Sequence, residues 1–545
     1  MANRLKGKRL PDLLPWIVLA LAWCMTQLMF WKWGAHYLNA DTSSELVLSS
    51  LLNQEHAMAS ESWFYATDMH LFYTTLVYQL GLLLFPENWH LVRCFASAVL
   101  TLLTTAGFLY MAKGIRQDKS LTHGMVYAAA AQLIPFSGYV AFYYQYGLNY
   151  ATHLLYAWLL IGMVLRLDGK SGRIRRLVLI AVLSLICGLP SLRMPMLCGV
   201  PLLLACLILF LPPLLRCEGK KEQLHALFTG REGWMLWGSL LSVALMTVGF
   251  AINRLVLADR FTCQDFAGAK LVTFSLENLW TNIGYWFAWF GYRNWQSITL
   301  MSLPGIAGAA AIALTLFACV SAVLLPMKRK ELGLDTGELL IAVLSAAGMV
   351  FGLLMVTALD QGQATIVYYN VSYYMVAFML FAFSGFMLLE HLPIRLPGAK
   401  HVLLLLLTGV FFLEGLNMAD NILPKQETGL EKAAAWLVEN DITRGYASFW
   451  NANSLTEASD GKVETWGMAY ITEDGPDEWL QVKSHVTETP TGTMFFILNT
   501  EEHRAANPEV FTEDRLKWSG DGYFIYVFED AAEIQRNFGN LVSGS

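Results

Sequence analysis

Six acids and four histidines crowd into residues 32–90: Asp41, Glu45, Glu55, Glu61, Asp68 and Glu87, with His36, His56, His70 and His90. A carboxylate held at a membrane surface can take the proton of an attacking hydroxyl, the work of a general base. Asp41 comes first after the opening apolar run, with Glu45, Asp68 and a distant lone acid, Asp360, as auxiliary candidates. A structural role is also open to it. Asn39 or Asp41 can cap a helix over 42–54 that has Glu45 in its first turn. A second cluster carries no charge. Tyr139, Tyr143, Tyr144, Gln145, Tyr146, Asn149, Tyr150 and His153 lie within PFSGYVAFYYQYGLNYATHL. Tyrosines with amides suit stacking and hydrogen bonding to a sugar, so Tyr143, Tyr144, Gln145 and Asn149, joined by His70, are candidate sugar or acceptor contacts. Tyrosines also anchor helices at membrane interfaces without any chemistry. The third set is cationic. Arg193, Arg260, Lys270 and Arg293 could hold a leaving phosphate, or could snorkel to lipid headgroups.

These residues are set among apolar runs. The chain has 545 residues, 55% hydrophobic and 15% charged, with mean hydropathy +0.44, whereas soluble proteins carry about 25% charged residues. Spans are expected at 13–31, 91–112, 121–139, 148–167, 177–190, 196–215, 234–257, 299–326, 338–358, 370–390 and 401–418, about eleven transmembrane helices. Residues 71–85 are apolar but short. Basic loops stay on the cytoplasmic side. Leaving 71–85 out of the count puts 21 lysines and arginines in the inner loops and 6 in the outer segments. The segment therefore reads as a juxtamembrane helix inside a long first outer loop, 32–90, with a cytoplasmic N-terminus and an extracytoplasmic C-terminus.

The expected organisation is a membrane domain over 1–418 and a small soluble α/β domain over 419–545. The tail holds 22 of the 43 acids and 9 of the 37 basic residues. An amphipathic helix is expected at 428–440, and strands at 445–450, 463–471, 493–499 and 522–530, with NTEEHRAANPEVF partly helical. The eight cysteines all precede the tail, mostly in apolar segments. No Cys/His spacing supports a metal, so a divalent cation is compatible with the chemistry but carried by no motif.

The order of parts resembles the GT-C superfamily of integral-membrane glycosyltransferases. A first span is followed by a long outer loop with an early acid (HYLNAD, Asp41). Then comes the juxtamembrane segment ESWFYATDMHLFYTTLVYQLGLLLFPENWHLVRC, and Arg93 opens the second span. The tail GYASFWNANSLTEASDGKVETWG is similar to extracytoplasmic tails of bacterial members. The resemblance implies a polytopic helical bundle in a bacterial plasma membrane. It also implies an inverting transfer from a polyprenyl-phosphate sugar to a glycan, lipid or protein acceptor, with Asp41 as base. Membrane lipids are the other implied partners, and nothing points to nucleic acid. The sequence departs from the family twice. Residues 135–150 lack the second acid of many members, and YYNVSYY stands where many have an Arg-Tyr pair. The rival classes are a transporter or lipid flippase, and a non-catalytic assembly factor or a ligase of preformed glycan chains. A transporter normally shows midplane ionisable groups and internal repeats; here polar residues gather at one face.

Overall fold

The computed structural model describes residues 10–116, 118, 120–167, 172–215, 227–228, 230–263, 270–271, 275–293, 299, 301–360, 368–394, 396, 398–468, 476–488, 490–499, 508–530 and 533. The helices needed here, in chain order, are α1 (Leu10–Trp33), α2 (Ala40–Glu55), α3 (Thr74–Leu84), α4 (Trp89–Ile115), α5 (His123–Leu133), α6 (Gly138–Gln145), α7 (Ala151–Leu165) and α8 (Arg173–Gly188). They continue with α9 (Val200–Leu215), α10 (Arg231–Ile252), α11 (Leu276–Trp289), α12 (Leu303–Met327), α13 (Thr336–Ala358), α14 (Met375–His391), α15 (Ala399–Asn421), α16 (Gly429–Glu439) and α17 (Phe449–Ala458). By internal packing the chain forms two units. One comprises Met1–Gln27, Val99–Arg254 and Phe266–Ile422; the other comprises Leu28–Ala98, Leu255–Asp265 and Leu423–Ser545.

The chain is an integral membrane protein. Among the described residues eight helices are long and apolar enough to cross a bilayer, and a ninth if α5 and α6, bent by 84°, are one broken span. All eleven segments expected to span fall on helices. The two beyond these nine are α7 and α8, of 15 and 16 residues; at 1.5 Å per residue each is roughly 23 Å long, short of a hydrocarbon core of about 30 Å. Helix α3, inside 71–85, has 11 residues, about half that thickness. In the first unit α8 and α10 approach through glycine. A Cβ on Gly188 would sit 2.0 Å from the Met246 carbonyl oxygen, and one on Gly249 would sit 2.4 Å from that of Leu185. Small residues allow such backbone contact where lipid supplies no hydrophobic drive. Two π-helical turns, Ala141–Gln145 and Pro195–Gly199, interrupt the α-helical hydrogen bonding of this unit, and a third, Asn253–Leu257, lies at its boundary.

The second unit gathers the segment after the first apolar helix with the tail. Its five-stranded sheet has the order β6-β5-β8-β10-β9, with β5 (Arg444–Ser448), β6 (Glu464–Met468), β8 (Met494–Leu498), β9 (Leu516–Gly520) and β10 (Tyr523–Phe528). Strand β5 is parallel to β6 and β8, while β8, β10 and β9 run antiparallel. One face buries Tyr446, Met468, Phe496 and Tyr526, the other Leu437, Leu455, Phe495 and Ile525. A three-stranded sheet, β2-β1-β7, joins Thr262–Cys263, Trp63–Tyr65 and Gln481–Val482. The expected helix at 428–440 is α16, held at its start by a reciprocal capping box between Thr428 and Glu431.

The expected strand 445–450 ends at Ser448, and Phe449 and Trp450 open α17 instead. Parallel neighbours cannot be joined by a tight turn, and α17 is the crossover between parallel β5 and β6. Strand β9 had no counterpart in the sequence reading. Of the strand expected at 463–471, residues 464–468 form β6 and 469–471 lie outside the described residues; so does most of NTEEHRAANPEVF.

Candidate active site

Asn39 starts α2. Its backbone is extended and its side chain accepts the Asp41 N–H at 2.9 Å. Asn39 is therefore the cap, and Asp41 in the first turn is left half-buried. Glu45 lies one turn on, four residues away and so on the same helix face. It is 3% exposed, and its Oε1 is 3.4 Å from His70 Nδ1. Asp68, 1% exposed, accepts the His70 N–H at 3.3 Å. The His70 carbonyl accepts the Thr75 hydroxyl at 3.1 Å. His70 and Phe72 both adopt positive φ, 53° and 61°, a conformation that side chains with a Cβ seldom take and that collects at functional sites. Helix α2 and the 68–75 turn thus bring two of the candidate carboxylates, Glu45 and Asp68, to His70, and Asp41 precedes Glu45 by one helical turn. His70 is a partner of acids here, whereas the sequence offered it as a sugar contact.

Arg93 fixes the start of α2. Its Nε and Nη2 donate to Glu457 Oε1 and Oε2 at 2.7 and 2.6 Å. Its Nη1 donates to the Tyr78 hydroxyl at 2.9 Å, and Nη2 also donates to the Thr42 carbonyl at 3.2 Å. Arg93 is 1% exposed and the Glu457 side chain 4%, so this is a buried two-pronged pair. Burial pushes the Tyr78 hydroxyl well up from its ordinary value. Beside this pair the Ser43 hydroxyl donates to that of Ser454 at 3.4 Å. Glu457 and Ser454 both belong to α17. The sequence marked Arg93 but gave no sign of Glu457, whose role depends on a helix that local pattern concealed. His36 at the end of the first helical segment is 2.8 Å from Glu431 Oε1, the capping-box acid of α16.

The first unit carries the aromatic candidates. Trp289, fully buried, stacks with Tyr139 (5.5 Å between centroids, 12°) and with Tyr143 (5.6 Å, 10°). Tyr143 meets Tyr150 edge-on at 5.6 Å; the Ser372 hydroxyl donates to Tyr150 at 3.2 Å, and the Arg193 guanidinium lies 5.2 Å over that ring. Arg193 and Tyr143 thus share one partner. Asn149 Oδ1 is buried with no hydrogen-bond partner among the described residues. Tyr144 and Gln145 lie inside the protein at 2% and 0% exposure, with Gln145 Nε2 donating to the Gln132 carbonyl at 2.9 Å. The π turn Ala141–Gln145 carries Tyr143, Tyr144 and Gln145, and Pro195–Gly199 begins two residues after Arg193. Such turns are frequent at functional sites, and no residue spacing announced them.

The remaining cations have separate settings. Arg260 pairs with Glu61 on an exposed surface. Arg293 donates to the Asn421 carbonyl at 3.3 Å, at the C-terminal end of α15, where a positive charge complements the helix dipole. Lys270 and Asp360 face each other in the backbone register of antiparallel β3 (Lys270–Leu271) and β4 (Leu359–Asp360); their side chains lie outside the described residues. Glu414 in α15 is 1% exposed, and neither carboxyl oxygen has a partner among the described residues. No group of three His, Cys, Asp or Glu side chains that could hold a metal occurs among the described residues.

No family model and no curated protein matches the chain. Among solved structures it is similar to the apo oligosaccharyltransferase of Archaeoglobus fulgidus, at 12% identity and TM-score 0.49, over 94% of this chain and 74% of that one. The same archaeal enzyme tethered to an acceptor peptide is matched at 12% identity and TM-score 0.47, over 85% of this chain; here the chain spans 65% of its relative's length. ArnT from Cupriavidus metallidurans bound to undecaprenyl phosphate is matched at 12% identity and TM-score 0.41, over 98% and 99% of the two chains.

Proposed function

We propose that this chain is a membrane glycosyltransferase of the GT-C type. It moves a sugar from a polyprenyl-phosphate donor to a hydroxyl-bearing acceptor at the extracytoplasmic face, with the N-terminus cytoplasmic and the tail outside. The observation that carries this reading is the cluster in the first outer loop. Asp41 and Glu45 share one face of a capped helix whose start is held by Arg93, and Glu45 reaches His70. An acceptor hydroxyl gives its proton to Asp41 as its oxygen attacks the anomeric carbon. The bond from that carbon to the phosphate oxygen breaks, the electron pair leaves with the lipid phosphate, and in-line displacement inverts the centre. Glu45 and His70, whose Oε1 and Nδ1 lie 3.4 Å apart, orient the base and accept its proton onward. Arg193, Arg260, Lys270 and Arg293 are the candidates for stabilising the departing phosphate.

The test is transfer of a radiolabelled sugar from a synthetic polyprenyl phosphate by the purified full chain. Asp41→Asn should retain its thermal unfolding profile and lose transfer. Full activity in that variant would remove Asp41 as base.

A further inference from the structure

The second unit contains a cavity of 490 Å³, within the usual range of about 300–1,000 Å³ for small-molecule sites. Its wall is drawn from α2, β1 and β7, the start of α4, and the β5–α17–β6 crossover. No residue of the His70 cluster lines it. Its charge runs against that of the tail, which holds 22 acids and 9 basic residues. The wall carries Arg444 and Lys462 against a single acid, Glu464. That carboxylate is engaged at both oxygens, with Arg444 Nε 3.4 Å from Oε2 and His485 Nε2 3.2 Å from Oε1. Lys462 is exposed, and its ammonium has no ion-pair or hydrogen-bond partner among the described residues. Asp460, two residues earlier, is not part of the wall; its Oδ1 accepts the Trp89 N–H at 2.8 Å. The cavity thus keeps one positive charge in excess.

Neutral polar groups stand beside that charge. Ser50 and Gln54, four residues apart, share one face of α2, and Thr443 precedes β5. None of the three side chains makes a hydrogen bond among the described residues; Gln54 and Thr443 are exposed and Ser50 is partly so. Hydroxyl and amide groups both donate and accept, which matches the hydroxyls of a sugar. A cation in a concave, partly desolvated wall attracts an anion more strongly than one on an open surface. In a domain that otherwise repels anions, such a wall selects the anion that also fits its neutral groups.

We infer that this cavity binds an acidic saccharide, whose carboxylate or phosphate meets Lys462 while its hydroxyls meet Ser50, Gln54 and Thr443. Resting on the transferase reading above, it is the subsite that selects an anionic acceptor.

Saturation-transfer NMR on the full chain at low salt tests this, in a detergent without a sugar headgroup. The probes are trigalacturonate, glucose 6-phosphate, neutral maltotriose and a triaspartate peptide. Trigalacturonate or glucose 6-phosphate should bind, and which of them binds tells carboxylate from phosphate as the acid. Maltotriose should bind at least about tenfold more weakly. Lys462→Gln should weaken binding about fivefold, the upper range for one exposed charge pair. Lys462→Glu should abolish it and Lys462→Arg should keep it; the side chain is exposed, so all three variants should fold. Added salt should weaken binding in wild type and change little in Lys462→Gln. Binding of neither acidic sugar, equal binding of maltotriose or triaspartate, or binding unchanged in Lys462→Glu would overturn the inference. So would displacement of the sugar by an equal concentration of inorganic phosphate, which would reduce the site to a bare anion contact. Binding with the expected properties but no transfer by wild type would leave the subsite standing and remove the transferase. Transfer with an acceptor KM unchanged in Lys462→Glu would do the reverse.

Discussion

Arg93 and Glu457, 364 residues apart in sequence, form a buried two-pronged ion pair whose arginine also holds the Thr42 carbonyl next to Asp41. The tail therefore positions the first turn of α2, and α17 is part of how the candidate base is held. Removing one member of a buried pair strands the other charge, at a cost of about 3–5 kcal/mol. Glu457→Ala should lower thermal stability accordingly, whereas Arg93→Met with Glu457→Leu should recover much of the loss. A double-mutant cycle on thermal unfolding measures the coupling; additive losses would mean that the pair does not act as one.

Glu45 and His70 are expected to affect turnover rather than donor binding. General acid–base groups contribute about 10²–10⁴-fold, and a partner of the base should contribute toward the lower end. Glu45→Gln and His70→Ala should each reduce kcat by roughly 10–100-fold and leave the donor KM near wild type. Steady-state kinetics with a labelled donor reads this split directly.

Acid should loosen the tail through Glu464. The hydrogen bond from His485 holds this carboxyl below its ordinary value of 4.5. A depressed carboxylate stabilises the fold above its unfolded pKa, and that contribution is lost as pH falls through the folded value. The loss should begin as pH drops toward about 4.5. It should be modest, because the Glu464 side chain is 47% exposed and water screens the pair. Glu464→Gln should flatten this part of the acid-unfolding curve. Near-ultraviolet circular dichroism can follow it, since Trp466 stacks on His485 at 4.2 Å.

Gly188 should tolerate no side chain. Its place against the Met246 carbonyl oxygen leaves 2.0 Å for a Cβ, and backbone cannot yield as a flexible side chain can. Gly188→Leu should force α8 from α10 and cost about 1–3 kcal/mol or more, measured as a fall in the midpoint of thermal unfolding in detergent.

The helical skeleton was legible because length and apolarity are local properties. The span segments, a cap at Asn39 or Asp41 and the amphipathic helix at 428–440 could each be read within a few residues. Helix α17 could not, since Phe449 and Trp450 continue the aromatic run of β5 and only the parallel β5–β6 pairing demands a crossover. For the same reason Glu457 passed unnoticed. Asp41, Glu45 and Asp68 were legible as residue types, but the meeting of Glu45 and Asp68 at His70 depends on a turn with two left-handed residues. The π turns at Ala141–Gln145 and Pro195–Gly199 change hydrogen bonding without changing composition.

The sheet β2-β1-β7 has a consequence for biosynthesis. Strand Trp63–Tyr65 leaves the ribosome roughly 400 residues before its outer neighbour Gln481–Val482, a delay on the order of a minute at usual elongation rates. Throughout that interval its backbone edge has no native neighbour on that side, while most of the hydrophobic helices are still being inserted. A chaperone at the translocation exit, or premature pairing between nascent copies, would act during this window. Truncations that remove the last strands should be cleared by quality-control proteases even when every apolar helix has been made.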